Sequence, residues 1–200
     1  MSKVSPYAAL AFDALASNLQ STHTHSLVKW QRAIPYELAF RESPLFVTWN
    51  TVDEDDGSVE LRGCIGTFEK QPIETGIKRY SLIAGLQDPR FSPIKKRELA
   101  HLECAVTILS DFERVDDPLG WQIGTHGVQA DFYHSNRLYS ATFLPDVAAE
   151  QEWDQATTLK HLAAKAGIRK YDKVEVTRYK GIKSSIRWSE YKQLEGSLET

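Results

Sequence analysis

The sequence LRGCIGTF occupies positions 61–68 and is the most unusual stretch of the 200-residue chain. Its two glycines would each weaken a strand by roughly 0.5–1 kcal/mol relative to alanine, so their presence needs a structural reason. The usual reasons are a bulge, a tight bend, or the close approach of another backbone or a ligand. We therefore predict a strand from Val59 to Phe68 that either bends locally or lies close to another backbone segment or a ligand.

Cys64 has the side chain of this stretch that is best suited to a chemical reaction. Arg62 and Cys64 are two positions apart and should point to the same face of the strand. A guanidinium beside a thiol favours the thiolate, which is the nucleophilic form. One interpretation is a reactive Cys64 held by Arg62 in a groove that Gly63 and Gly66 keep open. The other, which the spacing alone favours, is a small buried cysteine where two layers pack closely.

Working outward from this strand, hydrophobic periodicity and turn residues predict the remaining elements. Residues 23–31 are predicted to be a loop and a short turn. Helices are predicted over 7–19 (capped by Ser5), 72–86, 93–101 (capped by Ser92) and from Asp154 to Gly167. Strands are predicted over 44–49, 59–68, 104–109, 121–132, 137–144, 174–179 and 182–188, the last two as a hairpin around Lys180-Gly181. Strands and helices that do not strictly alternate indicate an α+β fold with mostly antiparallel sheet and flanking helices.

Composition excludes several classes of protein. Apolar residues make up 42% and charged residues 26%, which is typical of a globular domain. The longest apolar run, Tyr7 to Phe12, is far shorter than the ~20 residues of a membrane span. The N-terminus lacks a secretory leader, and two cysteines cannot make a disulfide scaffold. We therefore expect a protein of the cytosol or nucleus that does not enter the membrane.

Charge is distributed unevenly along the chain, although the net charge is only −3. Residues 103–154 hold ten acidic and two basic residues, or −8, whereas residues 160–187 hold nine basic and two acidic, or +7. The simpler interpretation is that the two stretches attract each other in the fold. Aromatic residues among the basic residues of 169–187 leave open a nucleic-acid surface. Trp188 shares an apolar face with Ile186, however, so nucleic acid is an unlikely partner.

His126 is the histidine most suited to catalysis, because glycines bracket it in the sequence IGTHG at 123–127. Imidazole titrates near neutrality and can serve as a general base. The alternative is a turn histidine that bonds to nearby backbone. The chain has no HExxH or CxxC motif, phosphate loop, GxSxG or dinucleotide fingerprint, so no metal site and no cofactor is predicted.

Residues 61–68 also resemble the signature of the AMMECR-type domain family, and the likeness extends well beyond them. Further similar segments, in matching order, are 44–49, 88–94, 121–127, 142–148 and 150–154. The likeness spans about residues 26–192, leaving an N-terminal helix and loop (1–25) and a C-terminal tail (193–200) outside. One departure is Glu152, where the family usually has glycine.

The resemblance implies an α+β domain of two unequal sublobes, the larger one containing both chain ends. The signature strand would face a cleft between the sublobes, which would accept an unknown protein or other large ligand. Prokaryotic relatives occur beside, or fused to, Memo-type and radical S-adenosylmethionine proteins, which implies a link to a modification system. This chain holds neither module and no cysteine triad for an iron–sulfur cluster.

Two main hypotheses for function follow. In the first, the chain is an enzyme or enzyme component, with Cys64 as nucleophile and His126 as proton carrier. Its substrate would contact Arg62, Gly63, Gly66 and Thr67, with Asp88 and Arg90 at the rim. In the second, the chain is a non-catalytic scaffold whose cleft, lined by Arg62 to Gly66, grips a partner protein.

Overall fold

The computed structural model describes residues 4–36 and 39–198. They divide into two compact units. Unit 1 runs up to Ile108 and resumes at Lys183, and unit 2 runs from Leu109 to Ile182.

The secondary structure confirms the α+β class. The helices are α1 (Pro6–Gln20), α2 (Leu27–Ala33), α3 (Ile73–Leu86), α4 (Pro145–Glu150), α5 (Gln155–Lys165) and α6 (Trp188–Leu198), with a 3₁₀ helix at Lys96–His101. The strands are β1 (Glu42–Val52), β2 (Val59–Pro72), β3 (Leu102–Val115), β4 (His126–His134), β5 (Arg137–Phe143) and β6 (Lys173–Arg187). Their order is β2-β1-β3-β6-β4-β5, with β1 antiparallel to β2 and β3, and β4 antiparallel to β5 and β6.

The core of unit 1 is built around α1, whose residues from Pro6 to Ser17 are all buried. As predicted, Ser5 caps this helix, accepting a hydrogen bond from the amide of Ala8 at 3.3 Å. Phe12 stacks on Tyr191 of α6 and meets Trp49 of β1 edge to face. The helix thus ties the sheet to α6 through aromatic packing.

A buried carboxylate lies within this core. Asp13 is fully buried and accepts hydrogen bonds from the Trp30 indole at 3.2 Å and the Tyr191 hydroxyl at 3.1 Å. The backbone amide of His25 donates to it at 2.6 Å, and the Ser17 hydroxyl at 3.2 Å. Asp13 therefore joins α1 to α2, to α6 and to the loop before α2.

Unit 2 has a second apolar core between its sheet and α5. Val128, Ala130 and Phe132 of β4 pack with Val176 of β6, and Leu162 of α5 lies against them. As predicted, Asp154 caps α5, accepting from the amide of Thr157 at 2.6 Å. Gly167, at a φ of 80°, follows the end of this helix.

The predicted hairpin around Lys180-Gly181 is wrong. Residues Lys173–Arg187 form one continuous strand, in which Lys180 pairs with His126 of β4. Within the same strand, Lys180 binds Asp111 at 3.2 Å. Residues 180 and 181 therefore lie inside an extended strand, which ends at Arg187, and α6 follows it.

Three local predictions were also wrong. Residues 23–31 contain the start of α2, which Ser26 caps. Ser92 begins no helix; the 3₁₀ helix starts at Lys96, where the Lys95 amide donates to Glu98 at 2.8 Å. The strand predicted from Trp121 starts only at His126, because residues 122–126 form a turn in which Gly124 has a φ of 75°.

Within the described ranges, no helix has the length and apolar character needed to cross a membrane.

Glu152, the departure from the resembled pattern, lies at a bend of the backbone. Its φ is 55°, and the amide of Trp153 donates to the carbonyl of Ala148 at 2.9 Å. The Glu152 amide donates to Ala149 at 3.2 Å, so Glu152 sits at the left-handed position that ends α4. This position favours glycine, because a Cβ is strained there.

We expect Glu152→Gly to stabilise the protein by about 1 kcal/mol, since it relieves that strain. Chemical denaturation measures the change. The matched control is Glu150→Gly at the last helical residue of α4, which should destabilise by up to roughly 1 kcal/mol. Equal destabilisation by both substitutions would contradict a strained position at 152.

Candidate functional site

The signature strand β2 is the terminal strand of the sheet and carries a bulge. Gly63 pairs with Trp49, whereas the neighbouring pair is Leu61 with Asn50, so Arg62 is the extra residue. A bulge bends and twists the strand locally. The predicted reason for glycine in this stretch is thus partly confirmed.

The two glycines accommodate internal packing. A Cβ on Gly63 would lie under 3.0 Å from the carbonyl oxygen of Ala84 in α3. A Cβ on Gly66 would meet Phe46 and the Leu45 carbonyl oxygen equally closely. The space beside each glycine is therefore filled by the protein's own atoms, and the expectation that they keep a groove open is corrected in this respect.

Cys64 lies at the centre of a small polar network on β2. It is partly buried, and the Thr48 hydroxyl of β1 donates a hydrogen bond to its Sγ at 3.2 Å. Its amide donates to Asp88 Oδ2 at 2.9 Å, and its carbonyl accepts from Arg90 Nη2 at 3.0 Å. Both backbone groups of Cys64 are therefore held by side chains that follow α3.

Asp88 and Arg90 form a two-point ion pair that we call the edge clamp. Arg90 Nε lies 3.0 Å from Asp88 Oδ1, and Arg90 Nη2 lies 2.7 Å from Asp88 Oδ2. The hydrogen bond from Arg90 is the main cause that holds the pKa of Asp88 well below its usual range, although burial opposes the shift. The carboxylate is buried, whereas the Arg90 side chain remains 53% exposed.

The edge clamp predicts a pH-dependent contribution to stability. Because the pKa of Asp88 is lower in the folded than in the unfolded chain, its contribution is complete above about pH 5 and is lost as the pH falls through ~4 and below. Asp88→Asn should therefore cost about 1–3 kcal/mol at pH 7 and progressively less in acid. Urea unfolding between pH 7 and pH 3 measures this. The control is Asp131→Asn, at a carboxylate bonded to an exposed serine. Its effect on the free energy of unfolding should not become smaller as the pH falls.

Arg62 does not hold the thiol as expected. Its Nε donates to Glu98 Oε1 of the 3₁₀ helix at 2.9 Å. Thr67 is likewise occupied locally, because its hydroxyl oxygen accepts from the Glu69 amide at 3.0 Å. The structure therefore brings Asp88 and Arg90 to Cys64 and turns Arg62 toward Glu98.

His126 belongs to unit 2, and every other candidate residue belongs to unit 1. Its Nδ1 accepts a hydrogen bond from the Gln122 amide at 3.0 Å, closing the turn before β4. Burial, followed by the charges of Arg178 and Lys180, lowers the pKa of His126. These contacts give His126 the turn role named above as the alternative to catalysis.

Cys104 is more deeply buried than Cys64. It is fully buried on β3, and burial raises the pKa of its thiol far above the ordinary value. Such a thiol is neutral at pH 7 and inaccessible to reagents. Across the described parts of the chain, no group of three His, Cys, Asp or Glu side chains is arranged to hold a metal ion.

The acidic and basic stretches meet each other. Arg178 binds Glu113, and Lys180 binds Asp111 at 3.2 Å. Arg187 and Glu103 approach to 3.9 Å. Tyr179 is fully buried within the basic stretch and therefore offers no stacking surface. These pairs favour mutual neutralisation over a nucleic-acid surface.

Sequence reasoning missed two residues of the site. Thr48 reaches Cys64 only because the two residues face each other in the β1–β2 register. Glu98 reaches Arg62 from a segment 36 positions away. Local patterns do not encode either pairing; the β1–β2 hairpin, once its register is fixed, would have indicated Thr48.

Comparisons with known proteins indicate the family of the chain. A family model described as AMMECR1 matches residues 8–184, which begins within α1 and earlier than residue 26. An uncharacterized protein of Saccharomyces cerevisiae is 39% identical, over 95% of this chain and 89% of its own length. One of Schizosaccharomyces pombe is 41% identical, over 92% of this chain and 93% of its own length.

A solved structure is similar in fold. The crystal structure of an uncharacterized protein from Pyrococcus horikoshii matches with a TM-score of 0.69, covering 90% of this chain and 89% of that one. Its sequence identity of 23% supports the fold alone.

Proposed function

The chain belongs to the AMMECR1 family, and from this premise we propose that it binds a large substrate or partner protein through the surface of β2 around Arg62 to Thr67. The partly buried Cys64 lies at the centre of this surface. The observation that carries the proposal is that two side chains fix both backbone groups of Cys64 while the residue itself is only partly buried.

Preorganisation supports recognition at this place. A site whose groups are already fixed loses little conformational entropy when a ligand arrives. Thr48 positions the sulfur, and the edge clamp positions the backbone. The half-exposed guanidinium of Arg90 adds a cation that can meet a carbonyl or carboxylate of a partner. The inter-lobe cleft implied by the family stays a prediction, and the proposal uses residues of unit 1 only.

Catalysis is the second candidate, favoured by one contact. The Thr48 hydroxyl donates a hydrogen bond to Cys64 Sγ at 3.2 Å and thereby orients the sulfur. In that case Cys64 would act as nucleophile within a macromolecule-modification pathway, and the Memo-type and radical S-adenosylmethionine proteins would be functional neighbours. For both candidate functions, we propose that the protein resides in the cytosol or the nucleus.

Blocking the thiol tests the proposal. N-ethylmaleimide should modify Cys64 in the native protein and leave the buried Cys104 untouched. We expect the labelled protein to lose the molecules that the unlabelled protein recovers from an extract of its native source. The matched control is Cys64→Ser treated with the same reagent, which should still recover them.

The same experiment separates the two candidates. Recovery of the same molecules, in the same amount, by the labelled and unlabelled proteins would overturn the proposal. If Cys64→Ser binds them but no longer converts any of them, the thiol acts as a nucleophile. If Cys64→Ser behaves as the native chain in both respects, the surface is a non-catalytic binding module.

A further inference from the structure

The start of β2 presents an unused sheet edge. Val59, Glu60 and Leu61 are exposed, with Val59 and Leu61 at 49% and 45%. Their only pairing strand is β1, and within residues 4–36 and 39–198 no element pairs along the other side. The unpaired backbone groups of an open edge are a template for adding another strand, and exposed apolar side chains beside them favour the addition.

The hydrogen-bond phase shows which backbone groups face outward. In an antiparallel ladder, residues alternate between bonding their partner strand and facing away from it. Cys64 faces away, because its amide and carbonyl go to the edge clamp. Past the bulge at Arg62, the same alternation turns Leu61 and Val59 outward. The turn between β1 and β2 leads to the same result. The Asp53 amide donates to the Ser58 carbonyl at 2.9 Å, so Ser58 faces β1 and the next residue, Val59, faces outward.

The edge clamp limits how far a strand could extend along β2. Asp88 and Arg90 already occupy the outward groups of Cys64, so a partner strand has to end before it. The available edge is therefore the short segment Val59–Leu61, next to the β1–β2 turn.

The charge beside this edge indicates which kind of partner segment would bind there. A depression of about 410 Å³ adjoins the segment, and carboxylates dominate its lining, together with His101. These carboxylates belong to Asp53, Glu54, Asp55 and Glu60. Among the described residues that line the depression, His101 is the one that can carry a positive charge; its Nδ1 lies 4.0 Å from Glu54, and it is charged only when protonated.

We propose that an extended, lysine- or arginine-rich peptide segment of a partner adds as a strand to the outer edge of β2 at Val59 and Leu61. Its backbone bonds the outward amide and carbonyl groups, and its apolar side chains cover Val59 and Leu61. Its basic side chains meet the carboxylates of the depression. The inference rests on the proposed function, since it names the partner's chemistry for the same strand.

A synthetic peptide tests this inference on the full chain. The probe is an acetylated and amidated peptide of alternating lysine and valine, titrated into ¹⁵N-labelled protein at low salt. We expect saturable shifts of the Val59 and Leu61 amide signals, and affinity that falls as salt is raised. The same peptide with its alternate amides N-methylated should not bind, because it cannot form the ladder, and this control leaves the protein unaltered.

Protein variants provide the second arm. Leu61→Pro removes one outward amide and should raise Kd about tenfold. Glu60→Gln combined with Asp55→Asn should raise Kd severalfold and flatten the salt dependence. Leu138→Ser, at an exposed residue of the opposite terminal strand β5, is the control and should leave Kd unchanged.

Several results would overturn the inference. They are equal binding of the N-methylated peptide, equal binding of a glutamate–valine peptide, or shifts confined to other parts of the chain. Self-association that occupies Val59 and Leu61 in the free protein would assign the edge to a second copy instead. If the peptide fails to bind while maleimide on Cys64 still blocks partner recovery, only this inference falls and the proposed function stands.

Discussion

Gly63→Ala is expected to lower the free energy of unfolding by about 3 kcal/mol or more. The added Cβ would lie under 3.0 Å from the carbonyl oxygen of Ala84. A backbone atom in the last turn of α3 cannot rotate away as a side chain can, so this end of the helix has to shift from the sheet. Because α3 is followed directly by Asp88 and Arg90, this shift should also loosen the edge clamp on Cys64.

Chemical denaturation and the amide signal of Cys64 measure these effects. Gly196→Ala in α6 is the matched control, because nothing lies within 4 Å of its added Cβ and helix propensity favours alanine. It should be neutral or stabilising by up to about 1 kcal/mol. Full stability of Gly63→Ala would show that α3 does not pack on β2 as described.

Asp13→Ala is expected to cost about 3–5 kcal/mol, because it orphans several buried donors at once. The buried indole of Trp30 would lose its acceptor, and the buried hydroxyl of Tyr191 would keep only Glu195, at 2.8 Å. The amide of His25 would lose its 2.6 Å hydrogen bond as well. The loss should therefore be felt in α2 and α6, far along the chain from residue 13.

Thermal unfolding together with hydrogen exchange of α2 and α6 measures this outcome. Asp131→Ala, at a carboxylate bonded to an exposed serine, is the control and should stay within about 0.5 kcal/mol of the native chain. A loss from Asp13→Ala no larger than that of the control would contradict a structural role for the buried carboxylate.

Local chemistry made much of the fold predictable from the sequence. Ser5 and Asp154 cap their helices as expected, since capping depends only on the next few residues. The strand predicted over 104–109 lies within β3, where these residues are buried. The class of fold and the family resemblance followed from such segments.

Features that depend on distant partners could not be predicted. Lys180-Gly181 has the composition of a turn, yet pairing with β4 and the ion pair with Asp111 keep β6 extended. Arg62 stands two positions from Cys64 and was expected to support it, but the bulge and Glu98 redirect it. Arg90, expected only at the rim, supplies the contact to Cys64 instead.

The central claim is that the sulfur of Cys64 is accessible on the surface of β2 while the protein is folded. The most direct test is the rate of iodoacetamide alkylation of each cysteine at pH 7, read by mass spectrometry of peptides from the native chain. We predict that Cys64 reacts at least about a hundredfold faster than Cys104, whose thiol is buried and neutral. Alkylation of Cys64 no faster than that of Cys104 would contradict the claim and remove the basis for a binding surface there.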